Sequence, residues 1–274
     1  MNCFEKILLF LQGEMNTPTV FGWFHLICVL LTIISIIVLY KLRYKNSEKQ
    51  LKLVLFIYGF VAFVLELLKQ LIWTFNYDSI NNIVTWNFEW YAFPFQLCTT
   101  PIYVSLICLF LKNNNIRKSL LSYLAFVTIL GSIVTIIMPN SCFVSDILVN
   151  IHTMWLHCGS FVVSVYLLMN KIVELNYQNL GKSLIVFLIF VGIALTLNIV
   201  IYNSGILSGE TFDMFYISPY FITTLPVFNV IQKNVPYVLY LATYISAIAI
   251  GSFIIFFLSQ AVDYFIKHKL KVNT

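Results

Sequence analysis

The sequence predicts an all-α membrane protein, a bundle of seven transmembrane helices with its N-terminus outside and its C-terminus in the cytoplasm. Three observations predict it. The chain is 60% hydrophobic and only 10% charged, with a mean hydropathy of +0.90, whereas a soluble domain carries about one quarter charged residues. Seven apolar runs are each near the roughly 20 residues that a bilayer crossing needs. Lysine and arginine fall in alternate connections, as crossing helices require.

The runs are roughly 20–41, 52–74, 92–112, 118–138, 147–170, 181–203 and 237–262. They make a single transmembrane domain over 1–274 with no soluble module. Ahead of them, MNCFEKILLFLQGE has Glu5, a short apolar run and no small-residue cleavage site, so it does not read as a signal peptide. Phe4, Ile7, Leu8 and Leu11 recur at helical spacing, which suits a short helix on the membrane surface. The long sixth connection, 204–236, is aromatic and is broken by Pro219 and Pro226. It reads as interfacial or re-entrant rather than as another span.

Orientation follows from the basic residues. Lys41, Arg43, Lys45, Lys49 and Lys52 follow the first span, Lys112, Arg117 and Lys118 the third, Lys171 and Lys182 the fifth, and Lys267, Lys269 and Lys271 the last. These thirteen share one side; Lys6 and Lys233 occupy the other, and Lys69 lies inside the second span. Net charge is +5, but dispersed over short loops it makes no nucleic-acid patch. The expected partners are membrane lipids, and the expected location is the cell membrane as a multi-pass protein. Six cysteines show no CxxC pair and no metal-type spacing, so neither a metal, a cofactor nor a disulfide framework is implied.

Polar residues inside the spans gather in the outer half. They are His25 in the first span, Glu66, Lys69, Gln70 and Trp73 late in the second, and Gln96, Cys98, Thr99 and Thr100 early in the third. His152, Thr153 and His157 open the fifth span, Asn198 and Tyr202 close the sixth, and Tyr237, Tyr240, Thr243 and Tyr244 open the seventh. Ionisable groups at such depth disfavour insertion by about 2.5–3.5 kcal/mol each, so they belong in the bundle interior. Glu66, Lys69, Gln70 and Trp73 form one helical stripe; Thr153, His157, Ser160 and Ser164 form another. Cys98, Pro101 and Ser105 share a face, and Pro101 leaves the Leu97 carbonyl without its helical donor.

Structural readings stand beside these. Glu66 and Lys69 equally make a structural ion pair, and His25 an interface anchor. Cys28 and Cys108 read as apolar fillers, though Cys28 lies one turn from His25. Thr128, Gly131, Ser132 and Thr135 read as a close-packing face. His152 and His157 stand about 140° apart around their helix, so only one faces a given neighbour.

The segments WYAFPFQLCTTPIYVSLICLFL, LAFVTILGSIVTIIMP and HTMWLHCGSFVVSVYLL resemble the YwaF-like family of bacterial integral membrane proteins. That family is similar to a eukaryotic polytopic family described as phospholipid acyltransferases using a membrane cysteine and histidine. The resemblance covers about 20–170. It implies a histidine opening the first span (His25), a Pro-polar-Leu-Cys motif (Pro94, Gln96, Cys98), a glycine-rich helix ending in proline (Gly131, Pro139) and a histidine in the fifth span (His157). Beyond 170 only FDMFYI around Asp213 echoes the family's Asn-Tyr-Met-Tyr-Leu stretch.

The expected function is a membrane-embedded enzyme acting on lipids by acyl transfer. Cys98 is the nucleophile, His157 its base, and Glu66 orients the base or a water. A free thiol, with a pKa near 8.5, is mostly protonated at neutral pH, which is why the chemistry needs a base. His25, Lys69, Gln96, His152 and Asn198 are the accompanying binding residues. The alternative is a transporter or ligand-binding protein using the same polar pocket, although no inverted repeat is visible. A retinal protein is excluded, because no lysine lies between Tyr237 and Val262.

Overall fold

The structure is a computed structural model that describes residues 1–42, 47–112, 114–139 and 142–272, with side chains to residue 266. Arg43, Lys45, Thr274 and the side chains of Lys267, Lys269 and Lys271 therefore lie outside the described residues.

A short helix α1, Cys3–Leu11, opens the chain behind a capping box in which the Asn2 and Glu5 side chains each accept the other's backbone N–H. Leu8 and Leu11 pack on Ile72, Phe75 and Val149, while Phe4, Ile7 and Phe10 stay exposed. The Gln12 amide after the helix donates to the carbonyls of Ile72 (2.6 Å) and Phe75 (2.7 Å). It thereby satisfies groups that a helix C-terminus leaves open.

Six helices among the described residues are long and apolar enough to cross a membrane. They are α2 (Trp23–Lys41), α3 (Glu48–Thr74), the pair α5 (Asn115–Phe126) and α6 (Thr128–Ile137), α7 (Ile147–Met169), α8 (Tyr177–Asn203) and α10 (Tyr237–Val272). Between α5 and α6 the helix breaks at Val127, where the Thr128 hydroxyl donates to the Leu124 carbonyl, a back-bond that bends helices.

The expected third span, 92–112, is helical only over α4, Thr100–Phe110. Eleven residues reach about 16 Å, roughly half of a bilayer core. Pro94 and Pro101 explain the short helix: a residue preceding proline is driven out of helical geometry, whereas proline suits a helix's first turn. Residues 93–99 are irregular but sheltered by protein, the condition under which non-helical backbone is tolerated at membrane depth.

An element not anticipated is the hairpin of β1 (Phe75–Asp78) and β2 (Ile83–Trp86), antiparallel with Phe75 opposite Trp86. Phe4 stacks on Trp86, so α1 and the hairpin cap the same end of the bundle. The 204–236 connection folds into the protein. Phe212, Met214, Phe215 and Ile217 are fully buried, and a short helix α9 (Phe228–Asn234) precedes α10.

α3 packs broadly on both α4 and α7, while α4 and α7 meet at most marginally. The tightest approach is at Gly159 of α7, where a Cβ would stand 2.7 Å from the Tyr58 ring of α3. Gly131, expected on a close-packing face, has open space around its Cβ position; another tight glycine between helices is Gly251 against Leu130.

Candidate functional site

The Glu66–Lys69–Gln70–Trp73 stripe is built as its spacing requires, in the last turns of α3. Lys69 Nζ lies 2.7 Å from Glu66 Oε1, and Gln70 Nε2 donates to the same oxygen at 2.9 Å and to the Ala92 carbonyl at 2.6 Å. Lys69 also stands over the Trp73 ring, 5.6 Å from its centroid. Glu66 and Lys69 are 3% and 8% exposed, so this is a buried ion pair and not a solvated one.

The histidine that meets Glu66 is His152, not His157: His152 Nε2 lies 2.8 Å from Glu66 Oε2. The contact is close but poorly aligned, and neither atom makes a hydrogen bond among the described residues. His157 stands on another face of α7, buried, and forms no hydrogen bond among the described residues. The 140° offset between the two rings forces that division. Farther along the His157 stripe, Ser160 donates to Thr128 Oγ1 (3.2 Å) and Ser164 to the Leu124 carbonyl, so both are tied to the α5–α6 break.

Cys98 is half-buried in the irregular segment before α4. Lys69 and Glu66 lie within electrostatic reach of its thiol, as do the hydroxyls of Tyr58, Tyr123 and Tyr216. The Leu97 carbonyl, expected to lack a donor, accepts from the Thr100 hydroxyl at 2.8 Å. Thr100 Oγ1 is in turn 2.6 Å from the Tyr123 hydroxyl.

Three of the expected binding residues serve the backbone. His25 Nδ1 accepts from the Phe21 N–H (3.0 Å), so its Nε2 is free to donate to the Ile136 carbonyl (2.8 Å), tying α2 to α6. Gln96 donates to the Asp213 carbonyl (2.9 Å) and accepts from the Phe215 N–H (2.8 Å). Asn198 does the same to both backbone groups of Met214, at 3.0 and 2.8 Å. Such amides read as binding groups in sequence because nothing local shows what long-range backbone they will meet.

These two amides clamp the 212–217 segment beside Cys98. Phe215 and Tyr216 are held in left-handed geometry, each at φ 61°, a strain that persists only where its surroundings enforce it. The Tyr237 hydroxyl adds a bond to the Ile217 carbonyl at 2.7 Å. Asp213 lies among Tyr216, Tyr237, Tyr240 and Tyr244, and burial pushes its carboxyl up to about 7 against the opposing hydrogen bond from the Ser218 N–H. The residue signal for this segment was Asp213 itself, a lone acid in an aromatic run.

Among the described residues, no group of three or more His, Cys, Asp or Glu side chains is placed to hold a metal ion. An otherwise apolar bundle with a buried carboxylate, lysine, histidine and thiol near one end defines a multi-pass helical membrane protein with a polar cluster inside. The chain belongs to the TMEM164 family, whose model matches residues 19–259. No curated protein and no solved structure matches it.

Proposed function

We propose that this chain is a membrane enzyme that transfers acyl groups between lipids through Cys98. The observation that carries the reading is the setting of Cys98: a thiol at an unwound helix start, within reach of the Lys69–Glu66 pair. The resemblance to polytopic acyltransferases with a membrane cysteine and histidine supports it. In this reading the bundle crosses the membrane seven times, α4 with its irregular lead-in serving as the third crossing. The end carrying Cys98 faces outward, and the membrane is the cell membrane.

His157, the base that the resemblance implies, takes the thiol proton; the two residues share no polar contact in the structure, so this step requires α7 to bring the ring toward Cys98. The thiolate attacks the ester carbonyl carbon of a lipid; the C–S bond forms and the ester C–O bond breaks. The leaving alkoxide takes the proton from His157, and an acceptor hydroxyl reverses the sequence to collect the acyl group. Lys69 is the cation available to the developing negative charge, with Glu66 and His152 holding it in place.

The test is a phospholipid carrying a labelled acyl chain, presented in vesicles containing the protein. A hydroxylamine-sensitive label on Cys98 is expected. It disappears in Cys98→Ser, falls in His157→Ala, and persists in Cys28→Ser and Cys108→Ser. Label retained in Cys98→Ser, or no label and an unchanged cellular lipid profile, removes the acyl-transfer reading and leaves a ligand-binding protein in front.

A further inference from the structure

The other end of the bundle carries a second polar feature. Glu48 begins α3 eighteen residues before Glu66, roughly 27 Å along the helix. Two adjoining cavities open there, of about 130 and 260 Å³, and both are lined by Lys118 and Ile172. Each is far larger than the roughly 15 Å³ that admits one water.

The cations around them are not equivalent. Arg117 is 2% exposed and fully engaged, with Glu48 at 2.8 and 3.1 Å and the Cys108 carbonyl at 3.0 Å. Lys171 lies 3.4 Å from Asp263. Lys118 and Lys182 form no ion pair or side-chain hydrogen bond among the described residues, and both line the smaller cavity. Glu174 lines it too, held by the Asn176 amide at 3.0 Å. Asn176 caps α8 and Asn114 caps α5, so the positive ends of both helices lie at this site. In the larger cavity Leu51, Leu121 and Ile172 supply an apolar wall beside the basic groups.

We propose that these cavities bind the headgroup phosphate of an anionic phospholipid. In the smaller cavity Lys118 and Lys182, without counter-ions, face the single carboxylate Glu174, and Glu48 of the larger cavity is already paired with Arg117, so the site selects a net negative group. The apolar wall selects an amphiphile over a free phosphate ion. Basic pockets between transmembrane helices recognise lipid headgroups on this physical basis. The site is separate from Cys98, and its occupancy does not depend on any chemistry there.

The test uses the full chain in detergent, titrated with short-chain phosphatidylglycerol, phosphatidylcholine or inorganic phosphate, with melting temperature as the readout. Phosphatidylglycerol is expected to raise the melting temperature saturably, and phosphatidylcholine and phosphate much less. Lys118→Gln/Lys182→Gln is expected to raise the phosphatidylglycerol concentration needed for half-maximal stabilisation about 25-fold, at roughly fivefold per lysine. Lys41→Gln/Lys49→Gln, basic residues of the same end that do not line the cavities, is expected to change it little. An equal loss in both double variants means diffuse surface charge and overturns the proposal. Equal stabilisation by inorganic phosphate overturns the lipid assignment. Should Lys118→Gln/Lys182→Gln fold poorly, the single variants carry the same comparison, and retention of full phosphatidylglycerol affinity in both also overturns the site.

Discussion

The Glu66–Lys69 pair allows a sharp test, because its two members have unequal fallbacks. Removing one partner of a buried pair typically destabilises by about 3–5 kcal/mol, whereas removing both is far milder. In Lys69→Met, Glu66 keeps Gln70 at 2.9 Å and His152 at 2.8 Å, so the loss should fall at or below the lower end of that range. In Glu66→Gln, Lys69 stays 8% exposed with only a neutral amide oxygen and the Trp73 ring as partners. A cation–π contact offsets about 0.5–2 kcal/mol at most, so Glu66→Gln should be the worse single variant. The double variant Glu66→Gln/Lys69→Met should be milder than Glu66→Gln alone, with a coupling of about 2 kcal/mol between the sites. Unfolding of all four proteins in mixed micelles, followed by tryptophan fluorescence, measures the cycle. Additive effects, or Lys69→Met worse than Glu66→Gln, would refute the account of a buried pair leaning on His152 and Gln70.

Other outcomes follow from single features. Gly159→Ala should destabilise by about 1–3 kcal/mol by driving a methyl group into the Tyr58 ring, and Gly131→Ala, with open space, should not; equal melting of the two would remove the tight α3–α7 contact. Asp213 is raised from 3.8 to about 7 by burial, so between about pH 4 and 7 the folded form holds a proton that the unfolded form has lost. Stability should therefore fall as pH rises through that window, with the contribution of protonated Asp213 gone above it, and Asp213→Asn should flatten the slope; an unchanged slope in the variant assigns the dependence elsewhere. Membrane-impermeant thiol labelling from outside should reach Cys142, and a reporter fused at Thr274 should be cytoplasmic. An extracellular Thr274 would sink the orientation drawn from the lysine distribution.

The sequence by itself determined the class of protein, because insertion into a bilayer is decided by local hydropathy over about 20 residues and needs no tertiary information. The α3 stripe was legible for a similar reason: residues three and four apart on one helix must be neighbours, and Glu66, Lys69, Gln70 and Trp73 meet accordingly. Pro101 suits a helix start, but hydropathy places it inside a 92–112 span, since the irregular 93–99 segment is as apolar as a helix. Its backbone is satisfied instead by nearby side chains: Thr99 Oγ1 accepts from the Gln96 N–H at 2.9 Å, and the Thr100 and Tyr103 hydroxyls donate to the Leu97 and Pro94 carbonyls. Only the tertiary structure decided which histidine faces Glu66. The angular offset said that His152 and His157 differ, but the rotation of α7 against α3 is set by contacts such as Gly159 on Tyr58 and the Trp155 indole N–H donating to the Tyr58 carbonyl at 3.3 Å. The same holds for Gln96, Asn198 and His25, whose hydrogen-bond partners lie on backbone remote in sequence, and for the lysine-lined cavities. Those exist because the starts of α3, α5 and α8 converge at one end of the bundle, and no local pattern encodes that convergence.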